Sequence, residues 1–198
     1  MLFRSAIPST VTSVGSYAFS NTKLSEISLP NGLLEIGAHA FSGCYINDVS
    51  LPETLESIGD NAFSSTLLQS VVLPESCKAL GVSIFAGCSQ LLTAQLPKTL
   101  NSIPRSMFDQ CVNLTSVNLP ETLQTIENAS FRSTALEEVA IPLSVTSSGN
   151  AVFQYCTSLK KASLPNSITT VPREAFSGCR SLYEVALPSS TTEIGRSA

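Results

Sequence analysis

Phenylalanine recurs along this chain with a regularity that leaves few folds open. Eight of its nine phenylalanines, Phe19, Phe41, Phe63, Phe85, Phe108, Phe131, Phe153 and Phe176, stand 22 or 23 residues apart. Each follows a Leu-Pro or Ile-Pro dipeptide at a fixed distance. Those prolines are Pro8, Pro30, Pro52, Pro74, Pro97, Pro120, Pro142 and Pro165, and Pro188 opens a further unit. A fixed period of this length is the mark of a stacked array, in which each unit is too small to bury its own apolar side chains.

The remaining columns keep the same register. Val11, Leu33, Leu55, Cys77, Leu100, Leu123, Val145 and Ile168 form one. Three residues on come Val14, Ile36, Ile58, Leu80, Ile103, Ile126, Ser148 and Val171, then Ile194. Glycine usually follows, with Pro104, Glu127 and Pro172 as exceptions. The consensus reads LPxxLxxIGxxAFxxCxxLxxVx. The segment before each proline, such as LSEIS at 24–28, predicts a strand with Ile27 and Leu29 inward and Glu26 and Ser28 outward. Proline suits the strand end because it has no N–H to donate. The stretch from glycine to phenylalanine, GDNAF at 59–63 for example, predicts a short helical or 3₁₀ turn, with Asp60 capping its free N–H groups. Parallel strands about 4.8 Å apart would give one sheet roughly 40 Å long.

These residues resemble the BspA-like leucine-rich-repeat family, from Leu2 to Gly195. The resemblance implies an α/β solenoid, a right-handed superhelix with a parallel β-sheet on one face and short helical or 3₁₀ turns on the other. It also implies kinship with bacterial and protist surface proteins associated with adhesion. Departures are local: Ser148 and Cys77 replace aliphatic residues, and Thr22, Thr66 and Thr134 stand in the cysteine column. Residues 1–198 read as a single array of eight complete units with partial units at both ends. Neither end carries a polar cap, so a fragment of a longer array is expected.

Charge and composition narrow the function. Fifteen acidic against 11 basic residues give a net charge of -4, without a Lys/Arg cluster, so nucleic acid is not an expected partner. Mean hydropathy is +0.23, yet no apolar run approaches the roughly 18 residues of a membrane span. Membrane insertion by this segment is therefore not expected. The first residues lack the apolar core of a secretory signal, which fits either a protein kept inside the cell or a piece of something longer. The compartment stays open.

Little in the sequence points to catalysis. His39 is the single histidine, so no second imidazole completes a metal cluster, and its register predicts an exposed turn position. Phosphate-binding glycine patterns are absent. No catalytic, cofactor or metal site is expected. Cys44, Cys88, Cys111, Cys156 and Cys179 share one column, and Cys77 sits in an aliphatic one. Disulfides Cys88–Cys111 and Cys156–Cys179 are conceivable between adjacent rungs. Free thiols packed as small apolar groups are the plainer reading, since threonine shares the column. Two sequons, at Asn113 and Asn128, carry little weight in so Ser/Thr-rich a chain.

The outer sheet face remains. One exposed column runs Arg4, Glu26, Asp48, Ser70, Thr93, Ser116, Glu138, Lys161, Glu184, and its neighbour contains Val72, Gln95 and Asn118. Its centre, Ser70, Val72, Thr93, Gln95, Ser116 and Asn118, is uncharged, with acidic groups to both sides. A non-catalytic module binding a protein partner, or serving adhesion, through this face is the first expectation. A structural spacer without a ligand of its own is the alternative.

Overall fold

The computed structural model describes residues 3–198; Leu2, where the family resemblance begins, and the Arg4 side chain lie outside what is described. Backbone conformation gives most repeats two short strands, so the chain carries two rows of parallel strands; the strand expected around Asp48 is not formed, and residues 45–52 add none to the first row. In the first row are β1 (Phe3–Ala6), β3 (Leu24–Ser28), β6 (Ser70–Val72) and β8 (Thr93–Gln95). The row continues with β10 (Ser116–Val117), β12 (Glu138–Ala140), β14 (Lys161–Ser163) and β16 (Glu184–Ala186). A second row lies just before the glycine column. It holds β2 (Ser13–Val14), β4 (Glu35–Ile36), β5 (Ser57–Ile58), β7 (Ala79–Leu80) and β9 (Ser102–Ile103), then β11 (Thr125–Ile126), β13 (Ser147–Ser148), β15 (Thr170–Val171) and β17 (Glu193–Ile194). The architecture is a parallel β-solenoid.

Between the two rows the apolar columns stack into one core. Successive phenylalanine rings lie parallel, 5.3 to 5.9 Å between centroids. Phe41, Phe63, Phe85, Phe108, Phe131 and Phe153 are fully buried. Ile27 and Leu29 pack against this core, as the two-residue period requires, while Ser28 faces solvent.

The helical turns expected from glycine to phenylalanine are not there: no helix occurs among the described residues. Their hydrogen bonds show why. Alternate N–H groups bond within the turn, as in Ala40 to the Gly37 carbonyl (3.2 Å) and Cys44 to the Phe41 carbonyl (3.1 Å). The others bond to the next coil, His39 to Asp60, Phe41 to Ala62 and Gly43 to Ser64, each at 2.8 Å. A helix would need all of those donors for itself. The residues two before and two after each phenylalanine turn left-handed, for example His39 (φ 55) and Gly43 (φ 70), which breaks any helical run. Asp60 likewise serves its neighbour: its carboxylate accepts the Val82 N–H of the next coil at 2.8 Å.

The single continuous sheet is also not formed. The first row divides into β1–β3, β6–β8–β10 and β12–β14–β16, and the second into β2–β4–β5–β7, β9–β11–β13 and β15–β17. Both breaks in the second row follow from proline. In this column the N–H donates to the aliphatic carbonyl of the preceding coil: Gly59 to Ile36 at 2.7 Å, Gly81 to Ile58 at 2.8 Å, Gly149 to Ile126 at 2.7 Å. Pro104 and Pro172 have no such donor, and the sheet stops before β9 and before β15. Ser148, in an aliphatic column, keeps its pairing with Ile126.

Candidate functional site

The sequence places Ser70, Val72, Thr93, Gln95, Ser116 and Asn118 together, and so does the fold. Ser70, Thr93 and Ser116 are direct neighbours across β6, β8 and β10, and Val72 lies beside Gln95. All six are exposed. Alternation along each strand puts Val71 and Ala94 inward between them. Shallow grooves border the patch, one lined by Val72, Gln95 and Asn118 with Glu53 and Glu75, another by Asp48, Ser50 and Val72.

Asn118 differs from the rest. Its Oδ1 accepts the Leu96 N–H at 2.6 Å, and its Nδ2 donates to the Leu96 carbonyl at 3.0 Å. The carboxamide thus stands in for the backbone, and β10 is a residue shorter than β8. The side chains of Ser70, Thr93, Gln95 and Ser116 make no hydrogen bond among the described residues, so their polar atoms are available to a ligand.

Beyond the patch the face carries ion pairs. Lys160 meets Glu137 at 2.7 Å and Lys161 meets Glu184 at 3.5 Å. The hydrogen bond that Lys160 donates to the Glu137 carboxylate raises the Lys160 pKa, and the Glu184 charge raises that of Lys161. On the turn side, Arg132 clasps the buried Asp109 with two bonds of 2.6 and 2.7 Å, and this hydrogen bonding raises the Arg132 pKa.

His39 is half-buried, and its ring stacks on Tyr17 at 4.7 Å. No group of three or more His, Cys, Asp or Glu side chains able to hold a metal occurs among the described residues. The six cysteines are free thiols, so the conceivable disulfides are not made. Their column has a polar task that apolar packing alone does not explain. Cys44, Cys88, Cys111, Cys156 and Cys179 each aim the sulfur at a phenylalanine carbonyl of the preceding coil, 3.0 to 3.1 Å away. Thr66 and Thr134 donate to the same row of carbonyls, at 2.8 and 3.0 Å, which is why threonine is tolerated there. Burial pushes the thiols of Cys77 and Cys179 up to about 12 and raises those of Cys88, Cys111 and Cys156. Of the two sequons, that of Asn128 has its Ser130 hydroxyl fully buried against the Pro104 and Glu127 carbonyls.

Two rows of short parallel strands, a shared ladder of buried Phe and Leu, and a polar outer face define a leucine-rich-repeat solenoid. The chain belongs to the BspA type leucine rich repeat region family, which matches residues 3–112 and 84–198 in 6 copies. Members of this repeat class serve in general as non-catalytic scaffolds for protein interaction or adhesion. A leucine-rich repeat protein from Bacteroides ovatus superposes with a TM-score of 0.69 at 28% identity, over 99% of this chain and 63% of its own. One from Eubacterium ventriosum gives 0.63 at 22%, over 97% and 66%, and one from T. pallidum 0.59 at 23%, over 98% and 73%. The chain thus spans less than two thirds of the first two relatives' length. No curated protein matches it. No helix among the described residues is long and apolar enough to cross a membrane.

Proposed function

We propose that the chain is a non-catalytic binding module that takes a protein partner on the face of β6, β8 and β10. The observation that carries this reading is the uncharged grid of Ser70, Thr93, Ser116 and Gln95 around an exposed valine, Val72, 58% accessible. Four side chains there hold unused donors and acceptors on a rigid sheet, the arrangement that gives hydrogen-bonded specificity at little ordering cost. Asn118 acts by fixing the sheet beneath them. The family's general role in interaction or adhesion supports the same reading.

The test compares wild-type chain with a Thr93→Arg, Gln95→Arg variant as immobilised baits for proteins from the source cell and its surroundings. Both positions are exposed, so the variant is expected to keep its circular dichroism spectrum and lose the proteins that wild type retains. An unchanged set of retained proteins would sink the reading.

A further inference from the structure

The turn that follows each proline carries a row of hydroxyls. Thr54, Ser76, Thr122, Ser167 and Ser190 occupy equivalent places, and each donates to a carbonyl of the preceding coil. Gly32 stands in the same column and interrupts the row. Its backbone does not ask for glycine. φ is not left-handed there, and an added Cβ would meet only the Ser9 carbonyl oxygen, at 3.9 Å.

What sets Gly32 apart is the residue before it. Asn31-Gly32 is the one Asn-Gly pair in the chain, and both residues are exposed. The Asn31 carboxamide makes no hydrogen bond among the described residues. Those of Asn113, Asn118, Asn128 and Asn150, by contrast, are held by neighbouring coils. The Gly32 N–H also has no acceptor among the described residues. With no Cβ on Gly32, nothing shields its nitrogen from the Asn31 side chain.

We propose that Asn31 is a modification site, at which the folded protein deamidates spontaneously to aspartate and isoaspartate. The Gly32 nitrogen gives up its proton to solvent and bonds to Asn31 Cγ. The Cγ–Nδ2 bond breaks, and the amide nitrogen takes up a proton and leaves as ammonia, closing a cyclic imide. Water then opens the imide at one of its two carbonyls. One opening gives aspartate; the other gives isoaspartate, with the main chain running through Cγ. One water is consumed and one ammonia released, so the reaction needs no oxidant and no cofactor.

The turn itself slows the reaction. Leu33 N–H donates to the Pro30 carbonyl at 3.0 Å, and the Thr54 hydroxyl reaches the Asn31 and Leu33 carbonyls at 2.6 and 2.8 Å. Swinging the Gly32 nitrogen toward Cγ rotates the Asn31 carbonyl away from Thr54. The imide therefore forms through brief local opening of this surface turn. The product carries a new negative charge. It lies in one column with Glu53 and Glu75, in a stretch from Leu24 to Cys77 without lysine or arginine. Aged molecules are more acidic along this edge than new ones.

The experiment holds the full chain at mildly alkaline pH and samples it over days for peptide mapping by mass spectrometry. The Asn31 peptide should gain one mass unit and split into two products. The rate should rise with pH, because the attacking nitrogen must be deprotonated. Asn166 is the internal control: it sits in the same column, with Ser190 on its carbonyl at 2.7 Å, but Ser167 follows it. Its peptide should stay unconverted. Gly32→Ala should abolish the reaction and keep the urea midpoint, since the methyl group has room. Thr54→Val should speed the reaction about fivefold, the factor for one ordinary hydrogen bond. Conversion of Asn31 in the urea-unfolded chain but not in the native one would overturn the proposal. So would equal rates at Asn31 and Asn166, in wild type and Gly32→Ala, or in wild type and Thr54→Val.

Discussion

The glycine column offers two identical substitutions with opposite expected results. A methyl group built on Gly59 would meet the Ala38 nitrogen at 2.5 Å, and the Ala38 Cα and Gly37 carbonyl carbon at 2.9 Å. Every obstructing atom is backbone, so nothing can swing aside, and the two coils must part. Parting them stretches the Gly59 N–H bond to the Ile36 carbonyl, now 2.7 Å. Overpacking of this kind costs about 1–3 kcal/mol. Gly15 occupies the same column, yet nothing lies within 4 Å of its added Cβ. There alanine should stabilise by about 0.4–1 kcal/mol, through a less flexible unfolded chain. The two variants should therefore differ by about 2.7 kcal/mol, or about 0.9 M in urea midpoint at a slope near 3 kcal/mol/M. Far-UV circular dichroism in urea reads this directly. Glu127 provides a natural precedent: it bears a Cβ in this column, and its N–H bond to Ile103 is 3.0 Å against 2.7 Å at Gly59. Equal destabilisation by Gly15→Ala and Gly59→Ala would refute coil-to-coil approach as the reason for glycine.

Phe85→Ala should cost about 3–5 kcal/mol by opening a cavity in the ring ladder; Phe19→Ala, at a partly buried rung with one stacked neighbour, should cost clearly less by the same urea assay. The thiols should resist Ellman's reagent in the native state and react fully once unfolded. Because burial raises Cys77 and Cys179 from the ordinary value of 9.0 to about 12, the unfolded state releases protons first as pH rises. Stability contributed by these groups is complete below pH 9 and should fall between about 9 and 12, a trend that melting temperatures across that range will check and that Cys77→Ala, Cys179→Ala should reduce.

Side-chain identity made the core legible from sequence, since every buried rung repeats a chemically similar residue. Backbone behaviour was far less visible. The second strand row consists of two-residue segments, too short for alternation to register. The turns were misread because their donors divide between a coil and its neighbour, information that no single repeat contains. Left-handed positions held by Gly43, Gly87, Gly178 and Asn21 after the phenylalanines, and by Asn61 before one, gave a faint signal, obscured where Ser65, Gln110 or Tyr155 occupies the first column and Tyr17, His39 or Ala129 the second. Proline foretold the breaks before β9 and β15 for anyone who asked where those N–H groups go. Nothing comparable marked Asn118, whose bond to Leu96 depends on the placement of one carboxamide, or the opening between β10 and β12. The six face residues, by contrast, needed only the two-residue period to be grouped correctly.

The interruptions in the two strand rows never fall between the same pair of coils. Where β7 and β9 part, β8 and β10 stay joined; where β10 and β12 part, β9 and β11 stay joined. The seams are staggered like courses of brick, so no cross-section of the rod is weak on both sides. Each seam can act as a hinge whose pin is the intact ladder opposite. Such a rod can bow toward either face, and follow an uneven surface, without any coil letting go of the next.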